Sequence, residues 1–223
     1  MTQITEPAAP PGAGIVLRAL RLAFAALGIL ALAWIPVRNL DVDAFSTANY
    51  FSYFTILSNV LAVIVLAGGA LADPRSTAWQ LLRGATTVYM VITGIIYAVL
   101  LANVDVMLQD EWINALLHRI LPLVLLADWL IAPPRRPIDD KSSLAFLAFP
   151  LLYGAYTLVR GPIVDWYPYP FLDPREDGYL QLAIGLVVLL IAMVFMSLAV
   201  NVAGRIAARW RYGRPAPSRL LGG

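Results

Sequence analysis

The feature that most limits this chain is the recurrence of long apolar runs, separated by short stretches where arginine, proline and glycine collect. Hydrocarbon is roughly 30 Å thick, and a helix rising 1.5 Å per residue needs about 20 apolar residues to cross it. Runs at 15–37, 50–72, 82–102, 113–131, 143–159 and 179–203 fall close to that length. They predict an all-α polytopic membrane protein, a six-transmembrane-helix bundle over 15–203. The fifth run is the shortest and contains Pro150. Residues 1–14, rich in proline, alanine and glycine, predict a disordered N-terminal tail. Residues 204–223 predict a basic cytoplasmic tail lying against anionic headgroups.

Composition agrees. Charged residues make up 13% of the 223, against about 25% in a soluble domain. The absence of cysteine excludes disulfides, thiolate chemistry and iron–sulfur clusters. A single histidine excludes a His-built metal centre. The single lysine, Lys141, falls in an expected loop, away from any place for a retinal Schiff base. The reading therefore needs no cofactor and no metal, and nothing in the pattern points to nucleic acid as a partner.

Lysine and arginine set the expected orientation. Twelve lie on one side of the predicted spans: Arg18, Arg21, Arg75, Arg83, Arg135, Arg136, Lys141, Arg205, Arg209, Arg211, Arg214 and Arg219. Three lie on the other, Arg38, Arg160 and Arg175, and Arg119 sits within the fourth span. Both termini are thus expected in the cytoplasm. The outer loops become 38–49, an acidic 103–112 with Asp105, Asp110 and Glu111, and 160–178 with Trp166, Tyr167, Tyr169 and Phe171 among four prolines. Such a loop suits either an interfacial aromatic belt or a cap over an outward-facing site.

Polar side chains inside the apolar runs locate the candidate chemistry. Ser52, Thr55, Ser58 and Asn59 fall within one arc of a helix starting at Tyr50. Groups of this kind face protein rather than lipid. His118 lies in the fourth span, and the second and fourth spans run in the same direction. Thr55 and His118 are each about five residues in, roughly 8 Å below the outer boundary. Tyr97, near the end of the third span, is level with them, and Asn114 is one turn from His118. A hydroxyl needs a base to become a nucleophile, and imidazole serves near neutral pH. Asn59, Tyr97, Asn114 and Arg119 are the candidate oxyanion donors or orienting groups, and Asp173 of the last loop is a candidate third member. Threonine also bonds its own helix backbone, and a buried histidine also serves structure, so the pattern leaves both uses open. Asp128, ten residues beyond His118, reads as a helix-end interfacial residue.

Three landmarks carry a resemblance: Phe51-Ser-Tyr-Phe-Thr-Ile-Leu-Ser-Asn59, His118-Arg-Ile-Leu-Pro122 and Tyr169-Pro-Phe-Leu-Asp173. In their order and spacing they resemble the androgen-induced protein family, which includes the androgen-dependent regulator of tissue factor pathway inhibitor and has six-pass bacterial relatives. The resemblance implies a membrane hydrolase that cleaves fatty acid esters of hydroxy fatty acids. It implies Thr55 as nucleophile and His118 as catalytic histidine. The expected partners are then a lipophilic ester substrate and the bilayer. An acyltransferase on the same site and a non-enzymatic lipid-binding or structural membrane protein are the competing readings. Absent internal repeats argue against a duplicated transporter, and no charged ring or carbonyl filter suggests a channel.

Overall fold

A computed structural model describes residues 13–101 and 110–213. The expected N-terminal tail up to residue 12, residues 102–109 with most of the expected acidic loop 103–112, and the last ten residues lie outside the described residues. Among those described there are helices and no strands. The elements are α1 (Ile15–Arg38), a short α2 (Thr47–Tyr50), α3 (Phe54–Leu71) and α4 (Thr77–Ile96), which runs on as a π-helix over Tyr97–Leu101. Next come α5 (Glu111–Ala115), a π-helical turn (Leu116–Ile120) and α6 (Leu121–Ile131), which form one rod. Then α7 (Asp140–Ser143), a 3-10 turn (Leu144–Leu147) and α8 (Ala148–Val164) lead to α9 (Pro174–Tyr212). Six helical stretches are long and apolar enough to cross a membrane: Ile15–Arg38, Phe54–Leu71, Thr77–Val99, Glu111–Ile131, Asp140–Val164 and Gly178–Tyr212.

The centre of the bundle is α4, packed against α3, α6 and α9. Its buried face includes the small residues Gly84, Ala85, Thr86, Thr87 and Thr93, and the space at Gly84 is taken by the rings of Phe146 and Trp129. By contrast α1, α8 and α9 keep most of their apolar surface exposed, as lipid-facing helices should. Ser76 starts α4 by accepting the Trp79 N–H, which sets its beginning five residues before the predicted span. The fifth span is longer than expected because Asp139 caps α7 and a 3-10 turn carries the chain into α8. Pro150 falls in the first turn of α8, where a missing N–H costs nothing. Likewise α9 bends at Gly178, whose φ of 79° favours glycine, and then runs through Arg205, Arg209 and Arg211. That much of the expected basic tail is therefore a continuation of the sixth helix.

The second span differs most from expectation. Instead of one helix from Tyr50, α2 stops there and α3 begins at Phe54. Ser52 sits in the break, bonding the Ala48 carbonyl at 2.7 Å and the Tyr156 hydroxyl at 2.8 Å, so it leaves the expected polar arc. Tyr153 of α8 splices the break. Its hydroxyl accepts the Phe54 N–H at 3.2 Å and donates to the Ser52 carbonyl at 2.9 Å. A phenol from a remote helix thus replaces the backbone pairing lost at the interruption.

The far end of the bundle is held by ion pairs between side chains. Arg21 of α1 forks onto Asp128 of α6 at 2.6 and 3.1 Å, and Arg83 of α4 reaches the same carboxylate at 2.9 Å. The three side chains are 2%, 6% and 6% exposed, respectively for Arg21, Asp128 and Arg83. Asp128 is thus the hub of a buried network rather than an interfacial helix end. Arg21 also donates to the Gly69 carbonyl, and Arg83 to the Ala132 carbonyl and Gln80. Asp73, in the turn after α3, pairs with Arg135 and lies 3.8 Å from Arg21. Burial pushes the Asp73 carboxyl upward, but bonds from Arg135 and Ala13 outweigh it and hold the group below its ordinary value.

Candidate functional site

A cavity of about 450 Å³ opens near the start of α3. Its floor and walls are apolar, from α4, α8 and α9, and its polar lining comes from Thr55, Thr93, His118, Tyr153 and Tyr169. This size and this mixture, mostly apolar with a few converging polar groups, suit a small lipophilic ligand.

Thr55 is the second residue of α3, so it belongs to the helix's unpaired N-terminal turn. No side chain from the preceding residues caps that turn. Instead the Thr55 N–H donates to the hydroxyl of Tyr169 at 3.2 Å, and the two hydroxyl oxygens are 3.4 Å apart. Tyr169 arrives from the loop between α8 and α9. It stacks on Phe171 at 5.2 Å and sets its ring edge-on to Tyr53 at 5.7 Å. Phe171 and Leu172 of the same loop also line the cavity, so this aromatic segment folds inward as a cap. Burial pushes the Tyr169 phenol up to about 12, which keeps its proton in place at neutral pH.

His118 lies in the π-helical turn, and its placement follows from Pro122. The Leu121 N–H reaches back to the Leu116 carbonyl, one residue further than in an α-helix. Pro122 has no N–H to offer. The Leu117 carbonyl is thereby left without a backbone donor. Asn59 supplies one: its amide donates to Leu117 at 3.2 Å and to the Thr55 carbonyl at 2.8 Å. One side chain thus ties the Thr55 turn to the His118 turn. Gly94 completes the fit, because a Cβ there would stand 3.2 Å from the His118 carbonyl.

The imidazole is oriented by its own helix. His118 Nδ1 lies 3.2 Å from the Asn114 carbonyl, which can only accept, so Nδ1 carries a proton and, in the neutral ring, Nε2 keeps the lone pair. Tyr97 stacks on the ring at 4.3 Å and 24°. Asn114 donates to the Tyr97 hydroxyl at 2.6 Å, locking both partners. Arg119 is exposed and its guanidinium lies over the Tyr97 ring, 5.6 Å from the centroid. Tyr97, Asn114 and Arg119 therefore support the histidine and do not line the cavity. Asp173 is elsewhere. It caps α9 through the Arg175 N–H at 2.9 Å and holds the Arg175 guanidinium, so it does not meet Thr55 or His118.

Thr55 and His118 both line this cavity. No hydrogen bond joins them among the described residues. Sequence reasoning passed over Tyr169 as a site residue. Its signal was the landmark Tyr-Pro-Phe-Leu, but nothing local to an aromatic loop shows where it folds. Comparison with family models, with curated proteins and with solved structures finds no match for this chain.

Proposed function

We infer that the protein is a membrane lipid esterase acting on lipophilic esters such as fatty acid esters of hydroxy fatty acids. One observation carries the reading: a threonine hydroxyl, a phenol and an imidazole with a free lone pair line the same apolar cavity. The resemblance to the androgen-induced protein family supports the same assignment.

The chemistry runs in two halves. Thr55 Oγ1 attacks the ester carbonyl while His118 Nε2 takes its proton, directly after closure on substrate or through one water. Tyr169, protonated, donates to the oxyanion, which also gains from the N-terminal end of α3. The C–O bond to the alcohol breaks, and the alcohol leaves with the proton from His118. Water then adds to the acyl-threonine with His118 again as base, and Thr55 recovers its proton as the carboxylic acid departs.

The test is labelling in native-like membranes with a long-chain fluorophosphonate, which modifies activated hydroxyls. Wild type should be labelled at Thr55, and both Thr55→Ala and His118→Ala should lose the label while unfolding at the wild-type temperature. A folded wild type that takes no label would overturn the esterase and leave a lipid-binding protein.

The same reading places the site on the outer face of the cell membrane, with both termini in the cytoplasm, since the arginine-rich ends of α1, α4, α6 and α9 lie together opposite Thr55. With no native cysteine in the chain, a single cysteine at exposed Lys141 should resist a membrane-impermeant maleimide in intact cells, and one at exposed Asp165 should react. The reverse pattern would invert the orientation.

A further inference from the structure

The cavity has a side as well as a top. Leu151 of α8 and Val187 and Leu190 of α9 line it, yet they are 55%, 57% and 42% exposed. A residue that both lines a cavity and faces outward marks its mouth. These three sit on spanning helices, so what lies outside them is hydrocarbon. The helices stand apart here: α8 makes its main backbone approach to the 3-10 turn before it, not to α9.

Gly154 lies between these observations. It is in the interior of α8, where glycine costs roughly 1 kcal/mol against alanine. Glycine in a membrane helix usually repays this by letting another backbone come close. Here nothing does, because an added Cβ would find no atom within 4 Å. Gly154 also lines the cavity.

We propose that a single acyl chain enters this cavity sideways from the bilayer, between α8 and α9, and that Gly154 leaves the space that sets the length of chain accepted. The geometry fits an ester slid in along its own chain. The tail stays among Leu151, Leu158, Leu186 and Val187, and the polar head reaches Thr55 and Tyr169 at the inner end. The proposal rests on the reading of Thr55 as the reacting group only for which end of the lipid goes inward. The chain-binding groove stands on its own lining.

The experiment uses Thr55→Ala protein in nanodiscs, so that no turnover intervenes. It is irradiated with a sixteen-carbon ester carrying a diazirine next to the ester carbonyl, the end that goes inward, and adducts are mapped by peptide mass spectrometry. Annular lipid marks only outward positions, so the informative adducts are those on Thr93, Ile96 and Phe171 inside the cavity. These should form and be competed away by unlabelled long-chain ester. Gly154→Phe fills the bore. At roughly fourfold per displaced methylene, it should cut interior adducts of the long probe at least tenfold while leaving an eight-carbon probe bound. Val187→Trp, at the mouth on the facing helix, should act likewise if Gly154→Phe folds poorly. Interior adducts unaffected by either variant, or none above the annular background, would overturn the groove. Interior adducts together with an absent fluorophosphonate label would instead sink the esterase and keep the groove.

Discussion

Asp128→Ala is expected to be the most destabilising single change in the chain, at roughly 3–5 kcal/mol. Two guanidiniums converge on this carboxylate at the arginine end of the bundle, each 6% exposed or less. Taking away the carboxylate leaves both cations buried without their shared partner, and the cost is that of uncompensated charge rather than of one lost contact. Asp73 cannot substitute, because it is already paired with Arg135 and stands 3.8 Å from Arg21 alone. Asp128→Asn keeps the shape but not the charge, and should fall between. Replacing the whole group with apolar residues (Arg21→Met, Arg83→Met and Asp128→Leu together) should recover much of the loss. Thermal unfolding in mild detergent reads all three. A loss under about 1 kcal/mol for Asp128→Ala would show that water enters the cluster and screens it.

The largest functional effects are expected at the opposite end. If Thr55 is the nucleophile, Thr55→Ala should abolish ester turnover and Thr55→Ser should keep part of it. Tyr169→Phe is more discriminating. It removes one oxyanion donor and the acceptor of the Thr55 N–H, while keeping the ring stacked on Phe171. Turnover should fall roughly 10²–10³-fold with little change in KM, as for other single donors to a developing oxyanion. A rise in KM at unchanged kcat would make Tyr169 a wall of the cavity only. Stability gives an independent check, since the loss of one buried hydrogen bond should cost about 1 kcal/mol.

How much of this was legible in the sequence depends on range. The six spanning helices follow from apolar length, a property each segment carries alone. Thr55, Asn59 and His118 stood out because polar groups within apolar runs must meet protein. Tyr169 did not, since aromatic residues in a loop suit an interface equally well, and only the fold turns this one inward. The interruption before Phe54 escaped notice because the hydroxyl that stabilises it belongs to Tyr153, 101 residues from Ser52. Asp128 was misjudged for the same reason. Its partner Arg21 lies 107 residues away, and no local pattern announces a buried pair. Arg21 and Arg83 were counted only as positive charges near one end of their predicted spans, whereas both are buried and paired with Asp128.

The amide of Asn59 has a consequence for how such a site tolerates its solvent. Bilayers differ in thickness, and spanning helices answer by tilting, at fractions of a kcal/mol per ångström of mismatch. A tilt of α3 against α6 would ordinarily change the gap between groups carried on each. Here one side chain grips the carbonyls of Thr55 and Leu117 together, a single turn from the hydroxyl and next to the imidazole. The turns that carry Thr55 and His118 are therefore tied together while the rods pivot about them. Thin and thick membranes should strain the peripheral helices first, leaving the spacing of Thr55 and His118 nearly independent of lipid composition.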